Sequence, residues 1–329
     1  MIAARRYLKW RYRKLGRRAI RLACSRLFRN GDPDPRKTIF VAGTGRSGTT
    51  WLADIIASQI PCRLMFEPFH SRQVEAYQSF NYFQYMRPSD EDEELRAYCH
   101  AVLTGNIRHR WIDRHVERVF PRYRLVKDIR ANLFLSWLHD RYPEVPLLFI
   151  MRHPCAVVLS RMQLAWWTDR DIKPFLSQSK LIDDFLADKI EVIERARRVE
   201  EKHAIVWCIS NLVPITQFHS NGLNLIFYEN LCTQPEQEIL KVFRAIRHGY
   251  DDAALASVNR PSTTAVRASA VVTGEDKVRR WTRELSAKQT RNILSVVEDF
   301  GLDHIYGDSV TPLVTAPEVT QGRANPYEQ

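Results

Sequence analysis

Arg46 stands in a run of small and hydroxyl residues, Gly43-Thr44-Gly45-Arg46-Ser47-Gly48-Thr49-Thr50, whose types and spacing can do one kind of chemistry: hold an anion. Backbone N–H groups freed at glycines converge on a negative charge, and the positive end of a following helix adds to them. The position of the cation narrows the ligand. In the nucleoside-triphosphate loop G-x-x-x-x-G-K-S/T a lysine follows the last glycine and reaches the β and γ phosphates. Here Gly43 and Gly48 keep that spacing, but Thr49 takes the lysine position and Arg46 comes earlier. Such a loop suits a shorter anion with no phosphate chain to track.

A second candidate lies in Leu147 to Ser160, where a buried-type apolar strand is followed by Arg152, a helix-starting Pro154 and Ser160 two turns on. Arg152 leaves the strand end facing the same crevice as the loop. An arginine there offers bidentate, charge-assisted contacts to a phosphate.

Arg46, Ser47, Gly48, Thr49, Thr50 and Trp51 match position by position the motif K/R-S-G-T-T/S-W. On that hexad the chain resembles the sulfotransferases that use 3′-phosphoadenosine 5′-phosphosulfate (PAPS). The resemblance implies that Arg46 and the loop amides hold the 5′ phosphosulfate, that Thr49 and Thr50 add hydroxyl donors, and that Trp51 packs on the adenine. Arg152 and Ser160 resemble the family's arginine and serine for the 3′ phosphate. Phe227 to Pro235 resembles its Y-E-D/N-L-x-x-x-P element, with Tyr228 near the adenine. Lys277 to Leu285 resembles its basic segment with a tryptophan, in which Lys277, Arg279 or Arg280 closes over the 3′ phosphate. The likeness is discontinuous from 38 to 306, and about 70 to 120 matches nothing in it.

Sulfuryl transfer needs a base for the acceptor hydroxyl and a cation where charge builds. Many small-molecule sulfotransferases place a histidine two residues after a lysine at the end of the third strand. In this chain Lys127 is kept and Ile129 takes the histidine position. Phe66 to His70 resembles the E-P segment of carbohydrate sulfotransferases, so Glu67 is the expected base, as an isolated carboxylate with a raised pKa. His70 and Asp128 are the reserves, and Lys127 the electrostatic stabiliser. The acceptor implied is a carbohydrate or glycolipid, with a small-molecule alcohol or phenol as the alternative. Phe80, Tyr82, Phe83, Tyr85, Trp166 and Trp167 suit either a sugar face or the core, and Arg72, Arg87 and Arg170 would favour an anionic acceptor if they line one cleft. No metal is expected.

These residues need a sheet to align them. Short β-rich runs near Thr38 to Ala42, Arg63 to Phe66, Tyr123 to Lys127, Leu147 to Met151 and Asn224 to Tyr228 alternate with helical patterns. That is the signature of an α/β fold with a five-stranded parallel sheet, helices on its faces and ligands at the strand C-terminal ends. Helices are expected to begin near Gly48, Ala131, Pro154, Leu181, Pro235 and Ser286, the last with a capping box to Gln289. Residues 31–307 read as one domain, and 308–329, with Pro312, Pro317 and Pro326, as a flexible tail.

The net charge of +11 is local: residues 1–30 hold eleven Arg or Lys and no acid, which leaves the rest neutral. This excludes a nucleic-acid-binding core. Leu8, Tyr12, Leu15, Ala19 and Leu22 recur at helical spacing between the arginines, the pattern of an amphipathic helix on an anionic membrane, of a basic arm, or of a targeting presequence. No apolar run approaches the roughly 18 to 20 residues that span a bilayer. The six cysteines show no C-x-x-C pair and read as thiols in a reducing compartment. The expected location is cytoplasmic, at most peripheral at the inner face of the membrane. The rival readings are a P-loop kinase or NTPase, which lacks its lysine here, and a binding module with a dead nucleotide fold.

Overall fold

The computed structural model describes residues 16, 19–166, 169–218, 222–265 and 276–321. Five strands, β1 (Thr38–Gly43), β2 (Cys62–Phe66), β3 (Tyr123–Lys127), β4 (Leu147–Met151) and β5 (Leu223–Phe227), form one sheet in the order β2-β3-β1-β4-β5. Every pairing is parallel. Thr38 pairs with Arg124 on one side of β1, and Phe40 with Leu147 on the other. The strands agree with the expected ones to within a residue at either end.

Period-two alternation splits the strands between two cores. Phe40, Ala42, Leu147, Phe149 and Met151 face one core, and Ile39, Val41, Leu148 and Ile150 the other. The second core is closed by the helices Thr49–Gln59, Pro235–Ala245 and Asp252–Val258. The first is filled by Val199–Gln217, of whose 19 residues 15 are buried. That helix is apolar around most of its circumference and so shows no one-sided periodicity, which is why it does not stand out in the sequence. The helix expected near Leu181 is instead a broken path: Ser179–Leu181, a π turn at Ile182–Leu186, a 3-10 turn at Ala187–Lys189 and Ile190–Arg195.

Local chemistry explains the starts that were legible. Pro154 occupies the first turn of Pro154–Gln163, where its missing N–H costs nothing. Ser286 and Gln289 form the reciprocal capping box at the start of Ala287–Asp299. Past Asp308, where an aperiodic tail is expected, Ala316–Gln321 is helical and buries Val319. All six cysteines are free, five of them buried. Leu8, Tyr12, Leu15, Trp167 and the Arg170 side chain lie outside the described residues.

Candidate active site

The loop between β1 and the Thr49 helix turns on strained backbone. Arg46 has φ 82° and Gly48 φ 107°. A Cβ on Gly48 would sit 2.7 Å from the Tyr228 ring, so the position needs glycine on both counts. The first amides of the Thr49 helix have no intrahelical partner, and Gly48, Thr49 and Thr50 all border the cleft at the end of β1. The hydroxyl of Ser47 is buried there without a protein hydrogen bond.

A cleft of about 270 Å³ opens at the C-terminal ends of β1, β2, β3 and β4. Arg46, Gly48, Thr49, Thr50, Trp51, Glu67, Lys127, Arg152, Ser160, Tyr228, Lys277 and Arg280 all line it. Of the six residues of the Arg46–Trp51 motif, Ser47 alone lies behind the wall, fully buried in the loop. Arg279 is exposed and faces Asp276 instead, which separates it from Lys277 and Arg280.

One end of the cleft is strongly cationic. Arg46 Nε donates to Ser160 Oγ at 3.0 Å, and Arg152 donates to the Arg46 carbonyl at 3.3 Å and to the Lys277 carbonyl at 3.0 Å. The Arg152 guanidinium lies 4.1 Å from the Tyr228 ring centroid, and its Nε is buried without a partner. Burial, then the nearby Arg152, pushes Arg46 down to about 10, so it remains charged at neutral pH. Among the described residues no carboxylate pairs with Arg46 or Arg152. Two half-buried guanidiniums, neither in contact with a carboxylate among the described residues and one with a buried, unspent Nε, form a place for a dianion. Trp51 and Tyr228 close the adjoining wall with ring centroids 5.0 Å apart, and Trp51 Nε1 donates to the Val258 carbonyl at 3.2 Å.

The other end carries the carboxylate. Lys127 Nζ lies 2.6 Å from Glu67 Oε1, and Arg130 Nη1 lies 2.6 Å from Oε2. Arg130 also donates to Tyr82 Oη at 2.5 Å. Glu67 is therefore not the isolated, raised-pKa carboxylate expected. Burial alone would raise it, but the two cations outweigh burial and hold it down to about 2. Its ion-pair partners are Lys127 and Arg130; Arg63 pairs with Asp113.

The reserve bases have other employment. Asp128 is fully buried and accepts from the backbone N–H of Phe69, Arg130 and Ala131 at 3.0, 2.7 and 3.2 Å, which fixes the turn after β3. His70 packs edge-on against Tyr82 and Trp111, and burial pushes it down to about 3. Neither lines the cleft.

A second cavity of about 330 Å³ shares the Trp166 and Ile129 wall with the cleft. Arg72, Tyr82, Arg130, Arg161 and Asp171 line it. Arg161 is bound to Asp171 at 2.5 Å and to His203 at 3.0 Å. Arg87 is not here; it pairs with Asp184. Among the described residues of the aromatic cluster, Tyr82, Phe83 and Trp166 reach this cavity, while Tyr85 is core. Arg130 and Arg161 carry no motif, and only their proximity in the fold marks them.

A parallel sheet that opens at its C-terminal edge onto two half-buried arginines, with the Glu67–Lys127 pair lining the same cleft, suits an enzyme that handles an anionic ligand. The chain belongs to the sulfotransferase family, whose model matches residues 38–252. It is a PAPS-dependent sulfotransferase. It is similar to nodulation protein NoeE of Sinorhizobium fredii, with 24% identity over 310 residues covering 87% of this chain and 70% of that protein. Among solved structures it is similar to the sulfotransferase domain of the Synechococcus PCC 7002 olefin synthase, at 14% identity and a TM-score of 0.44, covering 83% of this chain and 98% of that one. Mouse sulfotransferase SULT7A1 complexed with PAP gives 12% identity and a TM-score of 0.39, covering 85% and 87%.

Proposed function

We propose that this sulfotransferase transfers the sulfuryl group of PAPS to a hydroxyl of a carbohydrate or glycolipid by in-line displacement. The observation that carries the reading is Glu67: a carboxylate at the C-terminal end of β2, inside the cleft and bonded to Lys127, with Ile129 where a base histidine would stand. The donor supplies an activated sulfuryl group on a phosphate leaving group. Orphaned Ser47 Oγ and Arg152 Nε, and the glycine-only approach at Gly48, fit a donor with two anionic ends. In this reading Arg46, Ser47, Gly48, Thr49 and Thr50 hold the 5′ end. Arg152, Ser160, Lys277 and Arg280 hold the 3′ phosphate, and Trp51 with Tyr228 flanks the base.

Glu67 accepts the hydroxyl proton only after it gives up a cation, since a carboxylate held near 2 has little proton affinity. Lys127 is the exchangeable one, because it lines the cleft with Glu67. Arg130 is anchored by Tyr82 and keeps the carboxylate oriented. Once the Lys127 ammonium turns toward an anion in the cleft, Glu67 is left with one partner and its pKa climbs. The acceptor enters from the second cavity, where guanidiniums stacked on rings, Arg72 and Arg130 on Tyr82 and Arg161 on Trp166, make a wall that suits hydroxyl groups.

A transfer assay with labelled PAPS over glycans, glycolipids and phenols tests the reading. Product on sugar hydroxyls supports it, whereas label only on phenols or simple alcohols assigns the small-molecule alternative.

A further inference from the structure

A second cationic region lies away from the donor end of the cleft. Residues 19–27 form a helix that docks through buried Cys24 and Phe28 against Val116 and Val119. Arg21 pairs with Glu117 at 2.7 Å, and the Arg63 and Arg108 guanidiniums lie 4.5 and 4.2 Å from the Phe28 ring centroid. At about 100° per residue, Ala19, Leu22, Ala23 and Arg26 fall on the side opposite the docked face, with Ile20 and Leu27 beside them. All six are exposed, Ile20 at 52%, Leu22 at 58% and Leu27 at 63%.

The segment beneath this helix is basic too. Arg108, Arg110, Arg114, Arg118 and Arg122 are exposed, while its two acids, Asp113 and Glu117, are engaged by Arg63 and Arg21. Phe120 is 74% exposed and sits by the helix end, since Arg29 N donates to the Val119 carbonyl at 2.9 Å. The positive charge of the N-terminal segment thus continues onto the folded domain.

We infer that this composite face seats the protein on an anionic lipid bilayer. Exposed apolar side chains among arginines match a surface that takes both, the apolar groups into the headgroup boundary and the guanidiniums onto lipid phosphates. A nucleic-acid duplex would take the arginines alone and leave Ile20, Leu22, Leu27 and Phe120 in water. The face also adjoins the cleft: Phe66, which lines it, donates its N–H to the Ile112 carbonyl at 2.8 Å and lies under Arg114.

The test is co-sedimentation of the full chain with phosphatidylcholine vesicles, with and without phosphatidylglycerol, at low and high salt. Binding should need phosphatidylglycerol and weaken with salt. Each basic side chain at such a surface is worth roughly fivefold in partition, so Arg118→Glu with Arg122→Glu should lower it by at least about 25-fold. Leu22→Glu with Leu27→Glu should also reduce it. Both variants should keep the parent's thermal shift with 3′-phosphoadenosine 5′-phosphate, which reports the fold. If the leucine pair unfolds, the arginine pair alone decides. Equal binding to neutral vesicles, unchanged partition in the arginine variant, or full competition by duplex DNA would overturn the inference.

Discussion

Glu67 and Lys127 form a 2.6 Å ion pair across the C-terminal ends of neighbouring strands, where Phe66 of β2 is in register with Lys127 of β3. The backbone holds them together as well, since Glu67 N donates to the Lys127 carbonyl at 2.7 Å. Glu67 itself has φ 47°, a backbone conformation rare for a side chain of its size. Parallel register thus sets a base candidate and a cation side by side in a cleft rich in arginine.

Removing the carboxylate while keeping its shape should stop transfer. Glu67→Gln is expected to lower kcat by about a hundredfold or more with the affinity for 3′-phosphoadenosine 5′-phosphate nearly kept. His70→Gln should retain most turnover, because His70 does not line the cleft. Steady-state kinetics with calorimetric product binding checks both, and wild-type kcat in Glu67→Gln would move the base elsewhere.

The clamp also predicts a pH signature. Glu67 is depressed from 4.5 to about 2, so its contribution to stability is complete above its unfolded pKa and is lost as pH falls through the folded one. Urea midpoints measured from pH about 6 down to about 3 should fall more steeply in wild type than in Glu67→Gln. Parallel curves would show that the carboxylate is not clamped in solution.

Arg130 should act on turnover through Glu67. Arg130→Met leaves the resting carboxylate with Lys127 alone, and with no cation once Lys127 turns away, so its pKa rises and the acid limb of the kcat profile should move up by about one unit or more. Arg130→Lys should restore part of the shift. A profile that keeps its acid limb while kcat falls would mean that Arg130 acts only on packing.

The link between the two cationic elements is testable through product affinity. Ser160→Ala removes the acceptor of the Arg46 hydrogen bond and a hydroxyl of the cleft wall, and Arg152→Ala removes a guanidinium. Hydrogen bonds to charged groups are worth about 1.5 to 3 kcal/mol, so each change should weaken binding of 3′-phosphoadenosine 5′-phosphate by roughly ten- to a hundredfold. Adenosine 5′-phosphate, which lacks the 3′ group, should be affected far less, and an equal loss for both nucleotides would assign these residues to the other end.

Gly48→Ala places a Cβ at positive φ against the Tyr228 ring. The strain should cost about 1 to 3 kcal/mol of stability and displace Tyr228 from the cleft wall. Thermal denaturation with and without product reads both effects, and an unchanged product-induced shift would show that the loop tolerates the methyl.

Local sequence carries the sheet and the cationic residues of the cleft. Both rest on short-range patterns: period-two alternation assigns strands to two cores, Gly48 marks a turn that needs glycine, and Pro154 marks a helix start that favours proline. The resemblance carried by residues 46–51 and 152–160 is local, because each lies within a single strand-turn-helix unit. The state of Glu67 follows from the fold. Its ionisation depends on Lys127 and Arg130, about sixty residues away in the chain, and electrostatics acts through space. The same holds for the face built from residues 19–27 and 108–122. Its arginines are plain in the sequence, but which of them are exposed depends on where Cys24 and Phe28 dock, and on Asp113 and Glu117 being taken by Arg63 and Arg21.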